Sequence, residues 1–333
     1  MSDKDFDNLE ERTAEVAGIE KPKPAGEFLE EYYKTLGDGS KKFLGIKTGL
    51  DGLDNKTLGL DGLIVLGGIA GQGKTSLALQ LAFDACELGT PTIFYSLEMP
   101  RQAIFTKILN RLAEVRYTDI LLKGGQYLSG AEQEPSNATD FYKSLTKDQI
   151  DNLQEAKGKL VETSKKFYIR SLEQEQADIT FESVEREINL IKAEHNNADK
   201  VLVVIDQLQD FDLEAKEYKD QIDKEGKLIR GFRKINERTG ATFLLISHKN
   251  KAEWNRSEMT SIKGSVDIVY KPDIVMILES EKEKEQDDII ADYSQTALKK
   301  IDLKIVKNRY NAPSRIGLDF NGEYSSFKER TGG

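Results

Sequence analysis

Residues 68–75 read Gly-Ile-Ala-Gly-Gln-Gly-Lys-Thr. Glycines at 68, 71 and 73 let a backbone wrap closely around an anion, with successive N–H groups turned inward. A helix that starts near Lys74 adds its positive amino end to the same spot. In this pattern the lysine reaches the β- and γ-phosphates and the hydroxyl that follows binds Mg²⁺. The candidate nucleotide set is therefore Gly68, Ile69, Ala70, Gly71, Gln72, Gly73, Lys74, Thr75 and Ser76, with ATP and Mg²⁺ as the implied cofactors. The surrounding pattern is the one this loop requires, an apolar run before it and a helical run after it.

Two acidic residues extend the site. Val201-Leu-Val-Val-Ile-Asp206 is an apolar strand ending in a carboxylate. In an open α/β sheet the carboxyl edge is where ligands sit, and there Asp206 holds Mg²⁺ through water. Glu98 closes Phe94-Tyr-Ser-Leu-Glu98, a β-rich run that follows the loop's helix. Two roles are open to it from spacing alone. It either orients and deprotonates an attacking water, or it is an N-terminal charge on the helix that begins after Pro100.

Positioning these groups requires a particular scaffold. Short continuous apolar runs at 63–67, 92–97, 167–169, 201–205, 242–247, 274–278 and 303–306 predict strands. Helical patterns at 74–88, 101–115, 181–195 and 227–239 lie between them, two of them closed by Gly89 and Gly240. Alternation of this kind predicts an α/β fold with a mainly parallel central sheet covered on both faces by helices. Residues 123–140, rich in Gly, Ser, Asn and Glu, read as a loop before another helix. Residues 281–288 read as a charged solvated loop. Before the core, residues 1–26 read as a polar arm. Residues 27–36 form a short amphipathic helix with Phe28, Leu29, Tyr32, Tyr33 and Leu36 on one side. The expected division is an arm with its linker helix over 1–40 and one ATPase domain over 41–333.

Bulk properties narrow the classes. The 333 residues are 38% hydrophobic and 32% charged, which suits a soluble domain with a core. The net charge is −10, the wrong sign for broad capture of duplex DNA on an outer surface. Residues 1–40 alone contribute −6 of it, leaving room for a local basic loop. The single cysteine, Cys86, gives no intramolecular disulfide and points to a reducing compartment. No apolar run is long enough to span a bilayer, and the first residues lack a signal core. The expectation is a cytoplasmic protein with no membrane partner, encoded by a bacterium, a phage or another mobile element.

Taken in order, several motifs resemble the RecA-like motor domain of DnaB-type replicative helicases. Thr48-Gly-Leu50 with Leu53-Asp54 lies upstream of the loop. Ser96-Leu-Glu-Met99 matches the family's catalytic-glutamate motif, and Asp206-Gln-Leu-Gln209 follows the acidic strand. Leu245-Ile-Ser-His248-Lys-Asn250 sits where the family has Ser-Gln-Leu-Asn. Lys263-Gly-Ser265 with Asp273, and Lys307-Asn-Arg309-Tyr-Asn-Ala-Pro313, complete the order. The likeness covers about residues 43–328. It implies that Glu98 is the catalytic base and that His248 stands in for a γ-phosphate-sensing glutamine, to which neutral imidazole can still donate one hydrogen bond. It implies that Lys307 and Arg309 reach a neighbouring subunit's γ-phosphate, making hydrolysis conditional on assembly; without the resemblance they are two ordinary edge-strand charges. A homo-hexameric ring on single-stranded DNA follows, with a primase or polymerase of the same replication system as a further partner.

The sequence departs from the family at Lys263, which replaces arginine, and at Lys271-Pro272, which replaces an acidic-Ala pair. A short acidic arm is expected where the family has its primase-recruiting helical domain. Candidate DNA contacts are Lys249, Lys251, Trp254, Arg256, Lys263 and Ser265, after the 242–247 strand; the bland alternative is a solvated loop. The nearly balanced 212–224 loop is a weaker candidate. The function this implies is an ATP-dependent helicase or translocase on single-stranded DNA. The alternative is a KaiC/RadA-like regulatory or recombination-accessory ATPase, to which Lys263-Gly-Ser265 is also similar. A small-molecule kinase is a third reading, in which Lys307 and Arg309 would have no task.

Overall fold

The structure is a computed structural model. It describes residues 24–30, 33–34, 45–128, 145–171, 179–213, 218–248, 270–280 and 298–330. The chain divides into two units, Met1–Lys42 and Phe43–Gly333. In the first, Ala25–Phe28 forms a 3₁₀ turn, residues 29–30 and 33–34 are helical, and Leu29 and Tyr33 are exposed. The rest of the 27–36 helix expected from sequence lies outside the described residues.

In the second unit nine strands form one sheet among the described residues: β1 Leu63–Gly68, β2 Thr92–Ser96, β3 Phe167–Ser171, β4 Leu202–Asp206, β5 Thr242–His248, β6 Ile274–Ser280, β7 Leu298–Asn308, β8 Ser314–Asn321 and β9 Ser326–Glu329. Their order is β3-β2-β4-β5-β1-β6-β7-β8-β9. The strands from β3 to β6 run parallel; β7, β8 and β9 are added antiparallel. The main helices are α1 Asp51–Thr57, α2 Lys74–Glu87, α3 Arg101–Ala113, α4 Lys147–Thr163, α5 Phe181–Glu194 and α6 Gln221–Thr239.

Alternation along each parallel strand sorts side chains onto two faces. Ile64 and Leu66, Leu202 and Val204, and Leu244 and Ile246 pack with α2 residues Leu77, Ala78, Leu81 and Ala82. Leu63 and Val65, Val203 and Ile205, and Phe243 and Leu245 pack with Val184 and Ile188 of α5 and Leu228, Ile229 and Phe232 of α6. A sheet buried on both faces needs apolar residues at every position, which is why these runs are continuous in sequence.

The extension differs. β8 alternates Ile316, Leu318 and Phe320 inward with polar residues outward, so it escapes a search for continuous apolar runs. It carries β9 back over α2. The rings of Phe320 and Phe327 stack at 4.4 Å between centroids, and a Cβ built on Gly73 would meet each ring at 2.9 Å. The Gln80 side chain clasps β9 by donating to Phe327 O and accepting from Phe327 N, both at 2.9 Å. The Glu329 carboxylate in turn accepts from Gly52 N and Leu53 N in the first turn of α1, where an anion suits the helix end.

Three further differences have local causes. α6 begins at Gln221, six residues earlier than expected, because Asp220 caps it by accepting from Asp223 N. Residues 120–128 are helical, where a loop was expected from 123 onward; Gly124 packs against Ile120 and Leu128. β7 spans Leu298–Asn308, longer than the 303–306 run, because its outer residues are partly polar. The charged 281–288 stretch and the remainder of the 123–140 stretch, from 129 on, lie outside the described residues.

Gln80 is buried within α2. Gln80→Leu leaves the Phe327 N–H and C=O buried without partners, so urea unfolding is expected to show a loss of about 1–3 kcal/mol.

Candidate nucleotide site

The phosphate loop joins β1 to α2. Gly68, Gly71 and Gly73 all take positive φ, 153°, 79° and 86°. No residue bearing Cβ fits easily at 71 and 73 in this conformation. Helices α4, α5 and α6 cap their first N–H groups with Thr146, Thr180 and Asp220. α2 has Gly73 at that position, no side-chain cap and no acidic residue in its first turn, so its N–H donors and its positive end are left facing the loop. A Cβ on Gly71 would meet nothing within 4 Å, so the loop is open on that side. The Lys74 ammonium lies inside the loop and donates to Ile69 O at 2.9 Å.

The parallel register then brings the acidic groups alongside. Ser96 pairs with Asp206 across β2 and β4, and Leu97 N donates to Asp206 O at 2.6 Å. Ser96 Oγ donates to Met99 O at 2.7 Å and accepts from Met99 N, which turns the chain sharply and leaves Glu98 exposed at the edge. Gln207 Nε2 donates to Glu98 Oε1 and to Asp210 Oδ2, each at 3.0 Å. Thr75 Oγ1 donates to Asp206 Oδ1 at 3.1 Å. Asp206 is fully buried and its Oδ2 has no hydrogen-bond partner.

That unpaired oxygen is a test of fit for Mg²⁺. A hydroxyl and a dry carboxylate oxygen, side by side at a phosphate loop, are hard donors of the kind Mg²⁺ takes. Among the described residues no group of three or more His, Cys, Asp or Glu that could hold a metal ion gathers. Thr75 and Asp206 would hold Mg²⁺.

Charge burial dominates the site's electrostatics. Burial pushes the Asp206 carboxyl up to about 7, and nearby Glu98 adds to this; the Thr75 bond, Lys107 and Lys74 oppose it. Burial pulls the Lys74 ammonium down to about 8 against the attraction of Asp206 and Glu98. Lys107 of α3, half-buried, is likewise lowered by burial and held up by Asp206. Lys107 thus lies within electrostatic reach of Asp206, a relation that sequence reading missed. It occupies a helical position between Ile104 and Ile108 of the core, and nothing in its local pattern marks it.

His248 ends β5 and pairs with Gly68 in the sheet, which sets its backbone beside the phosphate loop. Gln209 ties the segment after Asp206 to β5 by donating to Ser247 Oγ at 2.9 Å, and to α6 by donating to Glu225 Oε1 at 3.0 Å. Lys249, Lys251, Trp254, Arg256, Lys263 and Ser265 lie outside the described residues. So do residues 214–217 of the 212–224 loop; residues 221–224 belong to α6.

Lys307 and Arg309 lie elsewhere. β7 runs antiparallel to β6 and pairs Asn308 with Ile274, at the sheet's amino edge. Arg309 N donates to Asp273 O at 2.9 Å, and Asp273 N donates to Leu63 O at 2.7 Å. Leu63 is the first residue of β1 and Gly68 the last. At about 3.3 Å per residue, the length of that strand, roughly 16 Å, separates the two cations from the phosphate loop of their own chain.

A phosphate loop, an acidic strand end and a mainly parallel sheet widened by an antiparallel hairpin define a P-loop NTPase domain of RecA-like fold. The family model described as DnaB-like helicase C terminal domain matches residues 45–329. The chain belongs to that family. Among curated relatives, the replicative DNA helicase DnaB of Helicobacter pylori strain J99 is 24% identical over 246 residues, 72% of this chain and 45% of that protein. The DnaB of Pasteurella multocida is 33% identical over 105 residues, 31% of this chain and 22% of that one. The chain thus spans less than half the length of these relatives. Among solved structures, an ATPase domain superposes with a TM-score of 0.72 at 17% identity, over 92% of this chain and 99% of that one. A DnaB-like replicative helicase whose structure was determined with its primase interactions gives 0.71 at 17%, over 96% and 70%. Among the described residues no helix is long and apolar enough to cross a membrane.

The raised Asp206 carries a consequence for the nucleotide-free, metal-free chain. Between about pH 4 and 7 the folded chain keeps a proton on Asp206 that the unfolded chain has released, so stability falls as pH rises through that window. Lys74 acts in the opposite sense between about pH 8 and 10.5, where the unfolded chain holds the extra proton. Asp206→Asn removes the buried charge and keeps the Thr75 bond. At pH 8 it is expected to be more stable than the parent by about 1–3 kcal/mol in urea unfolding, with the gap shrinking as pH falls toward 4.

Proposed function

We propose that this chain is the ATP-hydrolysing motor of a DNA helicase, working as a homo-hexameric ring that translocates on single-stranded DNA during replication. Membership of the DnaB-like family supports the class of activity. The observation that carries the shared interface is the distance between Lys307 and Arg309 and the phosphate loop of their own chain; the ring of six follows from the family. A site that needs both sets must take them from two subunits.

In this reading the backbone from Gly68 to Gly73 and the uncapped start of α2, including Ser76, hold the phosphates. Lys74 moves its ammonium from Ile69 O to the β- and γ-phosphates. Thr75 and Asp206, now hydrogen-bonded to each other, would hold Mg²⁺, Asp206 through water. Mg²⁺, when bound, neutralises phosphate charge and favours the ionised form of Asp206. Glu98, steadied by Gln207, takes the proton of the attacking water. His248, at the end of β5 beside the loop, is the proposed sensor of the γ-phosphate. Lys307 and Arg309 of one subunit stabilise transition-state charge on a nucleotide held by the next.

Lys249, Lys251, Arg256 and Lys263 are the proposed phosphate contacts to DNA, with Ser265 beside them and Trp254 as a base-stacking partner. The partnership with primase follows the relative solved with its primase interactions and is proposed here for the same reason.

Lys74→Ala and Arg309→Ala are each expected to lower ATP hydrolysis by about a thousandfold or more. Mixing the two variants is expected to restore measurable hydrolysis, because an intact loop then meets an intact arginine. No recovery at any mixing ratio would count against a shared site. Hydrolysis indifferent to single-stranded DNA, with no unwinding of a forked duplex, would remove the helicase part of the reading.

A further inference from the structure

We infer that Asp273 is the positioning residue of Arg309, fixing its guanidinium at the sheet's amino edge so that it reaches a nucleotide held by a second copy of this chain. The inference rests on the shared-site reading above. Asp273 is itself immobilised. Its carboxylate is buried and accepts from Leu63 N at 2.9 Å. It also takes two bonds from the Arg233 guanidinium of α6, one at 3.2 Å from Nη2. Gly62, at φ 75°, lies so close that any Cβ there would collide with the carboxylate. On this rigid acceptor Arg309 places its Nη1 at 2.7 Å from Oδ1.

Arg233 alone would neutralise that carboxylate, so Arg309 is a second guanidinium on one anion. Its side chain remains 52% exposed while Asp273 is 2% exposed. A guanidinium has five donors in a planar fork. One end can therefore stay on Asp273 while the other faces outward. Lys307 is beside it, its ammonium donating to Tyr270 O at 2.6 Å. Burial lowers the Lys307 ammonium, and Arg309 and Arg233 lower it further. Two guanidiniums thus meet one buried carboxylate, with Glu237 on Arg233 Nε at 3.2 Å and the Lys307 ammonium close by; the cluster keeps a net positive charge on its exposed side, suited to a triphosphate.

The surrounding turn is held as firmly. Tyr310 Oη donates to Asp61 Oδ2 at 3.1 Å, and Asn308 and Asn311 both donate to Lys56 O. A free arginine samples many rotamers, and holding it in place before the neighbour arrives removes that entropy from the catalytic step.

The test uses the full chain, with ATP hydrolysis, binding of a fluorescent ATP analogue and thermal melting measured for each variant. Asp273→Asn keeps an acceptor for Leu63 N and loses the charge that holds Arg309. Its hydrolysis is expected to fall by at least about tenfold, while its analogue affinity at a temperature where it is folded stays near the parent's; its melting temperature is expected to fall, because Arg233 loses its buried carboxylate. Mixed with Lys74→Ala it is expected to regain hydrolysis; mixed with Arg309→Ala it is expected to regain none, because both lack a working arginine. A merely structural defect would lower analogue binding and block rescue by either partner. Such a pattern, rescue by Arg309→Ala, or hydrolysis within about threefold of the parent, would overturn the inference. Arg309→Lys, at a half-exposed position that tolerates it, gives a second reading. Lysine cannot hold Asp273 and face outward at once, so it is expected to behave like Arg309→Ala, and near-parental hydrolysis would overturn the inference. Failure of the Lys74→Ala and Arg309→Ala mixture itself would overturn the shared-site reading, and the inference with it.

Discussion

Parallel strands deliver all their carboxyl ends to one edge of a sheet, and most of this protein's arrangement follows from that constraint. β1 ends at Gly68, β4 at Asp206 and β5 at His248, while Glu98 lies just past the end of β2. The pairs Gly68 with His248 and Ser96 with Asp206 bring these strand ends to the same edge. No loop has to be long to assemble them. The reversal at β7 has the converse effect: it sends the chain to the opposite edge, where Lys307 and Arg309 are turned out beside the start of β1. On the proposed reading, one sheet therefore builds two half-sites facing away from each other, which two copies of the chain complete.

The phosphate edge is costly to the folded chain. Asp206 is buried with one oxygen satisfied by Thr75 and the other by nothing, and burial disfavours the charge on both Asp206 and Lys74. A core built for stability alone would avoid such an arrangement. At a site that receives a divalent cation and a polyanion, the unpaired groups become the ligands, and their positions are set before the ligand arrives. The opposite edge is handled differently. Asp273 is also buried, yet it is surrounded by Leu63 N, Arg233 and Arg309. One carboxylate is left short of partners and the other is supplied with more than it needs.

The parts of this arrangement readable from sequence were those whose signal is local. The three glycines with Lys74 and Thr75, and the apolar strand closing on Asp206, carry their own pattern and context. β8 and β9 were not readable in the same way, because a strand with one inward face alternates and resembles a polar loop to a search for apolar runs. The first turns of α6 were hidden for a different reason. Lys224 and Glu225 look like solvated charges, yet both are buried: Lys224 donates to Gln209 O, and Glu225 accepts from the Gln209 amide. Those partners are far away in sequence. Lys107 was invisible on the same grounds, since its relation to Asp206 exists only after α3 has folded onto the sheet. The role proposed for Lys307 and Arg309 comes from family resemblance alone; spacing offered only two charges near a strand end.

β8 connects the two edges. It begins at Ser314, just after the turn that carries Arg309, and reaches Phe320, whose ring lies against Gly73 of the phosphate loop. Seven residues at about 3.4 Å make this span a little over 20 Å. A strand paired on both sides, with β7 and β9, resists bending along its length. Phe320 and Phe327 leave no space for a Cβ at Gly73, so the loop cannot approach the rings without displacing them, and β9 is clasped to α2 by Gln80. A shift of the Arg309 turn that is passed on to Ser314 would have to bend β8, break its pairing or move the rings beneath the loop. The antiparallel extension does more than close the sheet: β8 runs as one paired strand from beside the Arg309 turn to the rings against the phosphate loop.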